Sequence, residues 1–271
     1  MQAGKSVNQQ RGLIPTLHAN LRFLQLWGSS LQSSAIVIAV FEFVLLLFSL
    51  SVHECAHAWM ASRLGDHTAR EMGRVSLNPI DHIDPLGTLI FPALIIFGPF
   101  IGFNFFSGML IGWAKPTPVL TRNFHKIVRD DNLTTLAGPA SNLLLVLIAF
   151  LVLVVISFAV PNGHQLVPAA FAAILRGTVE LSGPAVLPAL LLLCSLTILI
   201  NLSLCFFNLL PIPPLDGSHL LRNMLPYNAV QTYDRIPIWV SYLLMIFVGS
   251  FILRLLLYPS LGVIYFALSL V

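Results

Sequence analysis

The amino-acid sequence predicts an all-α polytopic membrane protein, and two observations carry that prediction. The first is coverage: 57% of the 271 residues are hydrophobic and only 9% are charged, against roughly a quarter charged in an ordinary soluble domain. Too few polar side chains exist to cover a water-facing globule. The second is length. Four apolar stretches, about 34–61, 132–160, 182–210 and 236–258, each reach the ~20 residues that a helix needs to cross the hydrocarbon core. Spans of this size leave little chain for anything but short loops, so one membrane domain with no appended soluble module is expected.

Residues 1–33 carry Lys5 and Arg11 and then a weakly amphipathic piece from Leu17 to Trp27. They lack the compact apolar core and cleavage site of a signal peptide and read as an N-terminal interfacial arm. The first span contains the apolar run Ile36 to Leu50, interrupted only by Glu42. A further stretch, 86–113, is long enough to cross. Pro92, Gly98, Pro99, Gly102, Gly108 and Gly112 puncture it where a straight helix wants none. In the span 182–210, Asn201 and Asn208 are expected to bond another helix or unpaired backbone. Residues 260–271 are apolar but too short to cross alone, and are expected to fold back or pack at the interface. The polar connections are 62–85, 114–131, 161–181 and 211–235.

Cys55, Cys194 and Cys205 lie in apolar stretches with no paired or ligand-like spacing, which argues against a disulfide. Cys55 reads as a packing residue. The net charge of +3 offers no case for a nucleic-acid partner. No internal repeat is visible, which weakens a transporter built from duplicated halves.

The first span ends in His53-Glu54-Cys55-Ala56-His57. Residues four apart on a helix differ by only about 40° in azimuth, so both histidines project from one face and can grip the same ion. Glu54 then lies beside that ion, placed to take a proton from an attacking water. A catalytic zinc site usually has three protein ligands and one open position, so a third ligand must come from elsewhere. His67, His82, His125, His164, His219 and membrane-proximal carboxylates are candidates. Asp216 stands out because it follows a span directly, in Asn208-Leu209-Leu210-Pro211-Ile212-Pro213-Pro214-Leu215-Asp216-Gly217. The three prolines forbid helix continuation, and irregular backbone at membrane depth is tolerated where it is buried in protein or lines a wet cavity. Gly217 allows a sharp turn behind the carboxylate.

With these residues in view, the chain resembles the site-2 proteases, the intramembrane zinc metalloprotease family. His53 to His57 resembles the family's H-E-x-x-H, Gly138-Pro139-Ala140-Ser141-Asn142 its G-P-x-x-N, and Asn208 to Gly217 its N-x-x-P-x-x-x-L-D-G. The stretches Arg63 to Asp66, Gly73 to Pro79 and His82 to Thr88 resemble a short prokaryotic branch without PDZ or CBS domains. The resemblance implies a site-2 protease-like catalytic core over 34–223, followed by C-terminal membrane segments over 224–271. It implies one zinc ion per chain, held by His53, His57 and Asp216, with Glu54 as the catalytic base. Asn142 would contact substrate backbone or help shape the cleft, and Asn208 would contact substrate. His82 and His219 are possible outer groups around the metal, although for His82 a loop-ordering role weighs more. The implied substrate is a transmembrane or signal-peptide-like protein, cleaved within or near the lipid bilayer. The alternatives are a non-catalytic zinc-binding sensor or scaffold and a metal transporter.

The ligand set constrains topology. His53 and His57 lie near the C-terminal end of the first span, and Asp216 follows the C-terminal end of the span 182–210. To share one ion, both ends must reach the same membrane face, so an odd number of crossings separates them. The segment 132–160 supplies one, and 86–113 is therefore expected to be a re-entrant or β-hairpin segment that does not cross. Lys and Arg then number nine on the metal's side and four on the other. The positive-inside rule accordingly puts the metal toward the cytoplasm. A crossing by 86–113 would give the same count, so the metal geometry decides between the two. Trp113 to Val119 reads as an extended platform onto which a substrate strand could add.

Overall fold

The computed structural model of the chain describes residues 13–103, 114–178 and 186–271, with side chains from Ala35 onward. Helix α1 (Leu13–Arg63) contains the first span, Ala35–Arg63. It reaches back into the stretch expected to be an arm, of which residues 1–12 lie outside the described part. α1 stops at Gly65, whose φ of +113° is open to glycine alone at little cost. A Cβ there would also stand 2.9 Å from the Asn123 carbonyl oxygen. The short helix α2 (Thr68–Glu71) follows.

The connection from α1 to α4 (Ile127–Ala159) returns to the face it left. His57, near the end of α1, lies 2.7 Å from the Thr134 carbonyl near the start of α4. Within that connection Lys115 N–H donates to the His82 carbonyl at 3.0 Å, so the chain between them enters and leaves at one place. The punctured segment therefore makes no net crossing. Its described part is helical: a π turn over Pro85–Ile90, α3 (Phe91–Phe97) and a 3-10 turn over Gly98–Ile101. Asp84 caps it by accepting from the backbone N–H of Leu86 and Gly87. No strand occurs among the described residues, and 104–113 lie outside them.

α4 runs antiparallel to α1, since Thr134 meets His57 while Asn142 meets His53. α6 (Val186–Asn208) runs parallel to α1: Asn201 meets Ser49, and Asp216, beyond the end of α6, meets His53. Lipid tails are as apolar as leucine, so close packing and buried polar contacts hold such helices together. Leu153 of α4 and Ile198 of α6 are wholly buried in a cluster that also takes in Leu261 and Leu268.

Two expectations are corrected by this packing. The connection 161–181, read as polar, contains α5 (Gly163–Leu175), whose Val167 and Phe171 are wholly buried in the same cluster. Its polar opening, Asn162 to Gln165, hid an apolar helix too short to span. Residues 260–269 do not fold back. They continue one helix, Ile238–Ser269, formed by α9 (Ile238–Leu244), a π turn and α10 (Ser250–Ser269). Burial of Leu261 and Leu268 anchors that continuation.

Between α6 and α9 the proline turn packs Leu210, Ile212 and Leu215 against Met245 and leads into α7 (Asp216–Met224), then α8 (Tyr227–Tyr233). Gly217 is needed here for close approach rather than for a left-handed turn. Its φ is not positive, but a Cβ would strike the Leu209 and Leu210 carbonyls. That contact tucks the start of α7 under the end of α6 and presents Asp216 to α1.

Candidate metal centre

Three side chains from α1 and α7 converge. His53 Nε2 and His57 Nε2 lie 3.0 Å apart, and Asp216 Oδ2 lies 3.1 Å and 3.4 Å from them. A tetrahedral zinc with bonds of about 2.0–2.1 Å separates its ligand atoms by about 3.3–3.4 Å, so the triangle has the required size. Among the described residues this is the cluster that could hold a metal ion.

The protonation pattern agrees. His57 Nδ1 faces the Thr134 main-chain carbonyl at 2.7 Å, an acceptor, so Nδ1 carries the proton and Nε2 offers a lone pair. His53 Nδ1 faces Asn142 Oδ1 at 2.6 Å, with the same result. Asp216 Oδ2 is buried with no hydrogen-bond donor. Three acceptors aimed at one another repel unless a cation lies among them.

Gly138 of α4 forms the floor of this cradle. A Cβ at that position would stand 2.6 Å from His53 Nε2 and closer still to His57 Nε2, filling the space an ion needs. The residues present therefore fit the zinc that the sequence implies.

Glu54, the next residue on α1, is half-buried and held from the loop side. Its Oε2 accepts from the Thr117 backbone N–H at 3.1 Å and from Thr117 Oγ1 at 2.7 Å. The segment carrying Thr117, residues 114–120, is strapped down at both ends. The buried Arg74 donates to the carbonyls of Asp81, Lys115 and Pro116. Asp66 accepts from Leu120 N–H at 2.7 Å, from Asn123 Nδ2 at 2.8 Å and from Thr68. Burial works to raise the Asp66 carboxyl, and these donors win and lower it.

The other sequence-predicted residues are placed differently from one another. Asn142 is wholly buried and spends its Oδ1 on His53, so it presents no surface to a substrate. Asn208 is half-buried and donates to the Leu204 carbonyl of its own helix. His82 is buried and bonds the Ser76 carbonyl at 2.8 Å, ordering the loop as its turn-forming neighbours suggest. His219 is exposed. With His67, His125 and His164, these two histidines lie outside the metal cluster.

The platform over 114–119 forms neither helix nor strand, and Trp113 lies outside the described residues. Strand addition onto it is limited: Pro116 and Pro118 lack N–H groups, and those of Lys115, Thr117 and Leu120 are spent inward. Thr117, Thr134, Arg74 and Asp66 were not singled out as site residues by sequence reasoning. Asp66 and Arg74 fall inside stretches that carry the family resemblance, and the proline-rich Lys115 to Val119 points to the segment rather than to Thr117.

The sequence profile of peptidase family M50 matches residues 41–249. A protein of Bacillus subtilis (strain 168), named as a candidate zinc metalloprotease, YwhC, is 36% identical over 183 residues, 68% of each chain. A second candidate zinc metalloprotease, Rip2 of Mycolicibacterium smegmatis, is 37% identical over 99 residues, 36% of this chain and 34% of its own. No solved structure matches.

Proposed function

The chain belongs to peptidase family M50 and is a multi-pass membrane zinc metalloprotease; from that premise we propose that His53, His57 and Asp216 hold the zinc and that Glu54 is the general base. The observation that carries the assignment is the convergence of three acceptor atoms within 3.0–3.4 Å, one residue away from a held carboxylate. When bound, zinc supplies a Lewis acid that polarises the scissile carbonyl and acidifies water to a pKa of about 7. Glu54 takes the proton of the attacking water and returns it to the leaving amine nitrogen. Thr117 holds one carboxylate oxygen, leaving the other to face the reaction. Gly138 keeps the floor of the site open.

The substrates are transmembrane or signal-peptide-like proteins, cut in or near the bilayer. The site's position at the ends of two spans supports this, because a cleavable segment there is shielded until it unwinds. Asn208, whose Oδ1 has no partner among the described residues, is the proposed contact to substrate backbone. The host is a prokaryotic cell membrane, in keeping with the bacterial relatives. The excess of Lys and Arg on the site's side, nine against four, supports a cytoplasmic orientation. A cysteine placed at the exposed Met72 should resist membrane-impermeant reagents in intact cells, and labelling there would reverse the orientation.

The decisive experiment compares wild type with Glu54→Gln in proteoliposomes containing a transmembrane reporter. The variant should keep its zinc and its thermal stability and lose cleavage by at least about 100-fold. Undiminished cleavage would remove Glu54 from the mechanism.

A further inference from the structure

We propose that Asn201, together with Ser49, is a positioning device that acts through Asn142 to fix the tautomer and direction of His53. The inference rests on the reading of His53 as a zinc ligand. It concerns two residues outside the three motifs.

The direction of the relay can be read from its far end. Asn201 has an amide nitrogen 2.9 Å from the Thr197 main-chain carbonyl, a group that only accepts. That end of the amide is therefore NH2, and its second hydrogen goes to Ser49 Oγ at 2.9 Å. Asn201 Oδ1 then faces Asn142 and accepts from its Nδ2 at 2.8 Å. Asn142 must in turn present Oδ1 to His53, at 2.6 Å. An oxygen there holds the proton on Nδ1 and leaves the Nε2 lone pair for the metal. Were Asn142 to flip, its NH2 would oppose the Nδ1 proton and drive it to Nε2, abolishing the ligand.

All members are dry. Asn142 and Asn201 have no exposed surface, and Ser49 and His53 have 1% and 3%, so no water stands by to replace a lost partner. The chain of bonds crosses three helices: Ser49 and His53 on α1, Asn142 on α4, Asn201 on α6. His57 needs no such relay, because a main-chain carbonyl does the same work directly. One ligand is thus set by backbone and the other by a side-chain chain whose origin is also backbone.

The simpler alternative is that Asn201 merely glues helices together, and a double substitution separates the two roles. Aspartate at 142 presents oxygen to His53 whichever way it turns, as in carboxylate–histidine–zinc triads. It should therefore make Asn201 dispensable for the metal. Zinc affinity is measured by chelator competition on the purified full chain, and site geometry by the d–d absorption of the cobalt-substituted form. Asn201→Leu should weaken zinc binding about 10–100-fold and alter the cobalt spectrum. Asn142→Asp/Asn201→Leu, which presents oxygen to His53 and removes the Asn201 oxygen that would face the second carboxylate oxygen, should recover affinity to within about threefold of wild type, and the wild-type spectrum.

If Asn201→Leu does not fold, Asn201→Ala carries the same comparison. Wild-type affinity and spectrum in the Asn201 variant, or a folded double variant no better than the single one, overturns the relay. His53→Ala is the reference: if it retains zinc at wild-type affinity, the ligand reading itself fails. A neutral Asn201 variant beside a defective His53→Ala sinks the relay alone.

Discussion

The two halves of the proposed catalytic centre are held in different ways. The metal half is gripped from within the helical bundle: α4 supplies Thr134, Gly138 and Asn142, and α7 delivers Asp216 from beneath the end of α6. The base half depends on a loop. Glu54 is steadied by Thr117, and Thr117 by a seven-residue segment tied down through Arg74 and Asp66. Helices packed in lipid move little as individuals, whereas a loop strap can loosen without unfolding anything. Damage to the bundle should therefore read out as lost metal, and damage to the strap as lost turnover at full metal content.

The strongest test of that division is Gly138→Ala, which puts a methyl group among the ligand atoms. Overpacking costs ~1–3 kcal/mol even in ordinary cores, and here it falls on the metal itself. Zinc affinity should drop by about 100-fold or more in a chelator competition, and a variant with wild-type zinc content would break the account of the cradle. Next comes Thr117→Val, which removes one charge-assisted hydrogen bond worth ~1.5–3 kcal/mol and keeps the backbone N–H. It should lower kcat about tenfold with zinc content unchanged. If zinc is lost along with turnover, the two halves are not separable.

Arg74→Met should have a smaller effect, a fall in kcat of roughly threefold to tenfold, because the carbonyls it frees can find water at the loop surface. Hydrogen exchange at Lys115 and Thr117 should quicken in parallel. The mildest expected effect follows acidification. The Asp66 carboxyl is lowered in the folded protein, so its contribution is present above its unfolded value of about 3.9 and is lost as pH falls through the lowered folded value. The protection factor of the Leu120 N–H should be full at pH 5 and fall as pH drops below the unfolded value toward the lowered folded one. In Asp66→Asn protection should be low at every pH, and a variant whose protection still rises with pH would remove Asp66 as the strap's anchor.

The parts of this protein that could be read in advance are those written in local spacing. Span lengths, the pairing of His53 with His57 on one helical face and the helix break at Pro211 to Pro214 all depend on residues within a turn or two of one another. Even the return of the punctured segment followed, once two helix ends had to share an ion. Less local features were hidden. α5 is obscured by its polar first turn, and the motif that contains Asn142 names the residue without saying which way its side chain faces.

What the sequence by itself determined is the solvent, the helical periodicity and the donor set, because composition and spacing are properties of the chain. What only the tertiary structure decided is orientation: that Asn142 turns to His53 rather than outward, that Gly138 rather than a larger residue floors the site, and that Thr117, 63 positions along, steadies Glu54. Such contacts exist only where three helices and a returning loop cross. Their geometry is set by how whole elements pack, which no short window of residues encodes.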